Sequence, residues 1–245
     1  MAVTLQFLGS GDAFGSGGRL QTCLLIQGAG DSVLVDCGCS SLIAMKRNEV
    51  DPSATGYIVL SHLHGDHFGG VPFLILDSQF SRRSKPLVMA GPPGVQERVE
   101  AAMEVLFPLS TRAQREISVD YVELADRVRT EVGPAGVTAL LVEHACGAPP
   151  FALRIEYGGK LVAYSGDTEW CENLIAAADG VELFVAEAYH IEKNVKYHLN
   201  YRAVCKNRAR FRCRRMILTH MSEDVLSRIA GLEIEAAHDG LAVEV

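Results

Sequence analysis

The chain has 245 residues, 48% hydrophobic and 22% charged, a normal globular balance long enough to bury a sizeable core. Lys plus Arg number 23 against 30 Asp plus Glu, a net charge of −7, which argues against general polyanion binding and leaves only local basic patches open. Seven cysteines without regular spacing read as reduced thiols of a cytoplasmic protein, and Cys37 and Cys39, two apart, read as small buried residues rather than a redox pair.

Met1 to Phe7 has no basic segment leading into a long apolar one, and no apolar run approaches 18 residues, so neither a signal peptide nor a membrane span is expected. Short apolar runs bounded by Gly, Ser and Asp predict strands over 3–8, 21–27 and 32–36, then a helix over 41–47, a strand over 56–60, a helix over 68–76, a strand over 86–89 and a helix over 94–106. A second series follows, with strands over 136–143, 151–157 and 160–164, a helix over 172–178, a strand over 182–187, a helix over 200–210, a strand over 215–219, a helix over 222–229 and a strand over 241–245. No low-complexity linker divides the two series. Residues 1–245 therefore read as one α/β domain in two similar halves, two sheets face to face with helices on the outer faces.

Directly behind the apolar run at 56–60 stand His62, His64, Asp66 and His67, four metal-seeking side chains within six positions. If the chain stays extended past Leu60, His62 and His64 point the same way and can hold one ion. Asp66 and His67 follow a turn at Gly65 and can reach a second ion beside the first. Imidazole with carboxylate suits zinc best, manganese and iron being the alternatives, and an incomplete protein shell leaves a position for solvent or substrate. A structural zinc site would normally be closed by Cys, and none lies in this stretch. Further ligand types stand just after predicted strands: His144, Asp167 and His220. Strand-end loops are where a rigid scaffold displays chemistry.

The ordered set formed by Phe7-Leu8-Gly9-Ser10-Gly11, Leu34-Val35-Asp36-Cys37-Gly38, Ser61 through Gly70, His144, Ser165-Gly166-Asp167-Thr168 and Leu218-Thr219-His220-Met221-Ser222 resembles the metallo-β-lactamase fold superfamily, ribonuclease Z-like branch, over essentially the whole chain. The resemblance implies a four-layer αβ/βα sandwich. It implies that His62, His64 and His144 hold one metal and Asp66, His67 and His220 a second, with Asp167 bridging, Asp36 buried behind them, and Asp66 serving as catalytic carboxylate as well as ligand. Glu187 and His198 are similar to the acidic residue and histidine that assist phosphodiester cleavage in that branch; read without it, Glu187 is a strand-end charge and His198 a helix cap. His190 and His238 read as surface histidines.

Two departures bear on substrate. Ribonuclease Z carries a protruding tRNA-grasping arm between its third and fourth metal motifs, whereas the interval from His144 to Asp167 holds 167 − 144 − 1 = 22 residues, room for a hairpin. Leu199-Asn200 also follow His198 where the family usually has small hydroxyl residues. The expected function is a binuclear metal hydrolase, most simply a phosphodiesterase on a small or cyclic phosphodiester or short nucleic acid, with homodimers common in the branch. The alternatives are a ribonuclease Z-type tRNA 3′ endonuclease and a carboxylic ester, thioester or lactone hydrolase. One feature points back to polyanions: Arg202, Lys206, Arg208, Arg210, Arg212, Arg214 and Arg215 form a run with no acid among them. Tyr201, Val204, Cys205 and Ala209 give that run a buried helical face and turn its charges outward, as a solvated surface or a phosphate-attracting one.

Overall fold

The structure, a computed structural model, describes residues 2–81, 83–112 and 117–245. Six strands build most of the first sheet: β1 (Thr4–Gly9), β2 (Cys23–Gln27), β3 (Val33–Val35), β4 (Tyr57–Val59), β5 (Leu87–Gly91) and β6 (Val119–Glu123). The second sheet holds β7 (Arg129–Val132), β8 (Ala135–Leu141), β9 (Phe151–Tyr157), β10 (Lys160–Tyr164), β11 (Leu183–Glu187), β12 (Arg215–Thr219) and β13 (Glu235–Ala236). β14 (Ala242–Glu244) returns to the first, giving the orders β14-β1-β2-β3-β4-β5-β6 and β13-β12-β11-β10-β9-β8-β7.

Period-two alternation sorts the side chains into layers. In β1 and β2, Leu5, Phe7, Leu24 and Ile26 point between the sheets and meet Leu153, Ile155, Val185 and Ile217 from the second, while Leu8 and Leu25 point outward. The first outer layer is α1 (Ser41–Arg47), α2 (Gly65–Phe68), α3 (Val71–Phe80) and α4 (Val95–Leu106); the second is α5 (Asn173–Ala177), α6 (Tyr201–Lys206) and α7 (Glu223–Leu226). Met45, Leu74, Ile75 and Val99 cover the first sheet, and Leu174, Val204 and Val225 the second. The result is the expected four-layer αβ/βα sandwich, each fully buried Leu, Ile or Phe worth about 1.5–3 kcal/mol.

Three strands, β6, β7 and β13, were not expected from sequence, and all three are sheet edges. Edge strands meet a neighbour on one side only, and charges such as Asp120, Glu123, Arg129 and Glu131 blunt them and erase the apolar pattern. β14 was expected, but in the second series. It pairs antiparallel with β1, Leu5 opposite Val243, so the C-terminal segment closes the first sheet. The helix expected over 68–76 is two: α2 stops at Phe68, and Pro72 in the first turn of α3 restarts the chain at Val71. α6 is shorter than the expected 200–210. Ala209 lies outside it and is exposed, and Phe211 is buried instead. Cys37 is buried as expected, but Cys39 is exposed.

Candidate metal centre

β4 ends at Val59, and Gly38 and Gly70 let the following loop pack tightly. A Cβ on Gly38 would lie 2.2 Å from the Asp66 carbonyl oxygen, and one on Gly70 2.2 Å from the Gly38 carbonyl oxygen. His64 remains extended and caps α2, whose first turns carry Asp66 and His67. His144 follows β8, Asp167 follows β10, and His220 follows β12 in a left-handed conformation (φ 56°). The loops bring all seven side chains together. One ligand atom from each of His62, His64 and His144 lies within 4.8 Å of the others, and the same holds for Asp66, His67, Asp167 and His220.

Three of the five rings, those of His62, His67 and His144, are oriented from behind. Nδ1 of His67 donates to Asp36 Oδ2 at 2.7 Å, and the other Asp36 oxygen accepts from the Ser61 N–H at 2.7 Å. Ser61 Oγ in turn meets His62 Nδ1 at 3.1 Å, and His144 Nδ1 donates to the Tyr197 carbonyl at 2.8 Å. These bonds leave Nε2 of all three rings free to face the centre. Asp36 spends both its oxygens on Ser61 and His67, so it orients rather than ligates.

The remaining inward atoms test whether the residues fit a cation. His62 Nε2, His67 Nε2 and Asp167 Oδ1 are fully buried without a hydrogen-bond partner. Nε2 of His144, left with a lone pair by the bond to Tyr197, faces Nδ1 of His64 at 2.9 Å, a gap that an N–H of His64 or a cation can fill. Buried polar atoms are otherwise paired, so this donor set fits divalent metal. Electrostatics agrees. Burial resists the charged form of His220, but Asp167 and the hydrogen bond to Asp66 outweigh it and lift the ring to about 9. Burial likewise opposes ionisation of Asp167, yet His220 and His67 hold it well below the usual carboxylate range. Burial depresses His62, His64 and His144. The carboxylate end of the cluster thus demands positive charge.

At the rim, Glu187 ends β11 fully buried, and its Oε2 accepts from the N–H groups of Thr168 at 2.9 Å and Leu199 at 3.2 Å. Its Oε1 accepts from His198 Nδ1. Burial works against a charged His198, but the bond from Glu187 raises it above the ordinary histidine value. The cap of α6 is Asn200, whose side chain accepts from the Ala203 N–H at 2.8 Å, so His198 is not a helix cap. His190 contacts Asp224 and His238 is exposed, both away from the cluster. Sequence reasoning missed Tyr197, which acts through its carbonyl in a left-handed conformation (φ 70°) and so leaves no side-chain signal. Four of the seven basic residues of the run meet carboxylates: Arg202, Arg210, Arg212 and Arg215 pair with Glu192, Glu172, Asp179 and Glu235.

Comparison with known proteins bears on the family and the fold. The sequence pattern of the family described as "Anti-Pycsar protein Apyc1" matches residues 3–236. Ribonuclease Z of Anoxybacillus flavithermus is 26% identical, over 96% of this chain and 92% of that protein. The structure is similar to that of a new diphosphatase from the PhnP family (TM-score 0.80, 20% identity, 99% of this chain and 98% of that one). It is similar also to the metallo-beta-lactamase fold protein YhfI from Bacillus subtilis (TM-score 0.79, 18% identity, 100% of both chains).

Proposed function

The chain belongs to the family described as Anti-Pycsar protein Apyc1, and we propose that it is a binuclear metal-dependent phosphodiesterase, one domain over residues 1–245, acting on a small or cyclic phosphodiester. It is a metal-dependent hydrolase of the metallo-β-lactamase fold, ribonuclease Z-like, and the likeness to ribonuclease Z supports a phosphodiester or nucleic-acid substrate. The observation that carries the finer reading is the Glu187–His198 pair at the rim of the ligand cluster. An ester, thioester or lactone hydrolase would use the same cluster without needing such a pair.

His62, His64 and His144 would hold one ion and Asp66, His67 and His220 the other, Asp167 serving both, with zinc the best match to these donors. Bound divalent ions supply Lewis-acid polarisation of the phosphoryl group and activation of water near neutral pH. The protein's own part is positional and protonic. Glu187 holds Nδ1 of His198, which leaves Nε2–H to meet the scissile phosphate or protonate the leaving oxygen. Tyr189 packs against the His198 ring at 4.7 Å between centroids and limits its swing. Asp36, Ser61 and the Tyr197 carbonyl fix the ligand rings before substrate arrives.

A second reading, tRNA 3′ processing, is favoured by the likeness to ribonuclease Z. Against it, β9 and β10 fill the interval from His144 to Asp167 as a tight hairpin turning at Gly158 and Gly159, with no protruding arm. The seven free cysteines support a cytoplasmic location, and among the described residues no helix is long and apolar enough to cross a membrane. A homodimer would match what the ribonuclease Z-like branch commonly forms. The test is a panel on metal-loaded protein of aryl phosphodiesters, cyclic nucleotides, short RNA, precursor tRNA, thioesters and lactones. Faster cleavage of a thioester or lactone than of any phosphodiester would overturn the reading, and efficient trimming of precursor tRNA would favour the second one.

A further inference from the structure

Phe14 is 83% exposed. Single exposed apolar side chains are ordinary; this one is set apart by what holds it and what it faces. The buried carboxylate of Asp12 is devoted to its loop: Oδ1 accepts from the N–H groups of Phe14 at 3.2 Å and Ser16 at 2.9 Å, and Oδ2 from Ser16 Oγ at 2.7 Å. Gly15 adopts a left-handed conformation (φ 70°), and the Gly17 N–H donates to Glu223 of α7. A loop so fixed holds its aromatic ring in water in advance, which lowers the cost of binding something against it.

The cavity over the ligand cluster has a volume of about 210 Å³ and is lined by Phe14 together with Asp66, Asp167, Tyr189, His198 and His220. That is below the roughly 300–1,000 Å³ of pockets that enclose whole small ligands. It suits a phosphoryl group but not the substituents attached to it. Two larger spaces share its walls: one of about 390 Å³ through His198, the other of about 360 Å³ through Ala13 and Phe14. The leaving oxygen belongs on the His198 side, where a proton can be donated. The substituent that stays with the phosphate therefore passes Phe14.

The groove beyond Phe14 favours an uncharged, planar group over a second phosphate. Its basic side chain, Arg19, is spent on Ser10 Oγ and the Ala237 carbonyl, and Ile43 presents an exposed apolar surface there. We infer that Phe14 is a specificity-determining residue, a fixed platform on which an aromatic or heterocyclic ring carried by the retained arm of the diester stacks. The inference rests on the phosphodiesterase reading.

Two substrates with the same leaving group separate this role from others: bis(p-nitrophenyl) phosphate, which retains a ring, and methyl p-nitrophenyl phosphate, which does not. For Phe14→Ala, kcat/KM on the first should fall about tenfold, chiefly through KM, and on the second by less than about threefold, the difference being worth one aromatic stack. Phe14→Trp should restore the preference. Equal losses on both substrates would mean that Phe14 acts through loop geometry and would overturn the inference, as would no loss on either. A fully metallated wild type that cleaves neither diester but cleaves a lactone or thioester would instead overturn the phosphodiesterase reading itself, and this inference with it.

Discussion

The floor of the centre and its rim are built by opposite rules. On the floor, His62, His67, Asp167 and His220 are at most 2% exposed, and Asp36, Ser61 and the Tyr197 carbonyl orient its rings from behind. On the rim, the His198 side chain is 21% exposed and Phe14 83%. A floor must keep charge in place whether or not substrate is present, so it is buried and tied down. The rim must meet a molecule arriving from solvent, so its groups are tethered at one end and open at the other. Floor variants should therefore lose metal, and rim variants should lose turnover or selectivity with metal retained.

The largest effect is expected on the floor. Asp167 stands nearest both ligand sets, its Oδ2 3.4 Å from Nε2 of His67 and of His220 and 3.9 Å from His62 Nε2. Wild-type protein should bind about two divalent ions per chain, since seven donors exceed what one tetrahedral ion can use. Asp167→Ala should bind fewer and lose all measurable phosphodiesterase activity. Elemental analysis after reconstitution decides it; a variant that keeps two ions would break the division between floor and rim.

Next comes His198→Ala, which should keep full metal content yet lose about 10²–10⁴-fold in kcat, the usual worth of one positioned acid–base group. Wild-type turnover in the metallated variant, on every phosphodiester tried, would remove His198 from the mechanism.

The floor was far more legible in the sequence than the rim, for a physical reason. His62, His64, Asp66 and His67 are local, and their spacing alone encodes two directions once the chain turns at Gly65. His144, Asp167 and His220 could be found because strands deliver them. The rim depends on contacts between distant segments. Nothing near residue 14 announces that Asp12 is buried or that Glu223 reaches Gly17, and a backbone carbonyl such as that of Tyr197 has no residue type to betray it. The surroundings of the basic run were hidden for the same reason: it has no acid within it, but Glu172, Asp179, Glu192 and Glu235 come to it from elsewhere in the chain.

A smaller effect should come from behind the floor. Asp36 sits at φ 57°, a conformation Asn also tolerates, so Asp36→Asn should fold. Its amide oxygen can still accept from Ser61, but its NH₂ then faces Nδ1 of His67, where the wild type has an acceptor. His67 must turn or change tautomer. Zinc affinity should weaken by about 10–100-fold, the usual cost of disturbing a partner behind a ligand, with kcat recovering at saturating zinc. Unchanged affinity by competition with a chelator would show that Asp36 serves the loop and not the ligand.

The smallest effect asks what the rim pair does. In Glu187→Gln the oxygen can still accept from Thr168 and Leu199, but an NH₂ replaces the acceptor at His198 Nδ1. The Glu187 charge that helps raise His198 is gone, and an NH₂ facing Nδ1 disfavours a proton there, so the ring is charged less readily while its Nε2–H remains a donor. If His198 protonates the leaving oxygen, turnover should fall about tenfold on an alkyl leaving group, the low end of what one acid–base group is worth, and much less on nitrophenolate, which departs without a proton. Adding Glu187→Gln to His198→Ala should then cost little more, because the side chain it tunes is already absent. Equal losses on both leaving groups would mean that His198 stabilises the phosphate rather than the departing oxygen. Full additivity in the double variant would mean that Glu187 acts through the 168–199 backbone it binds, which would move it from the rim to the floor.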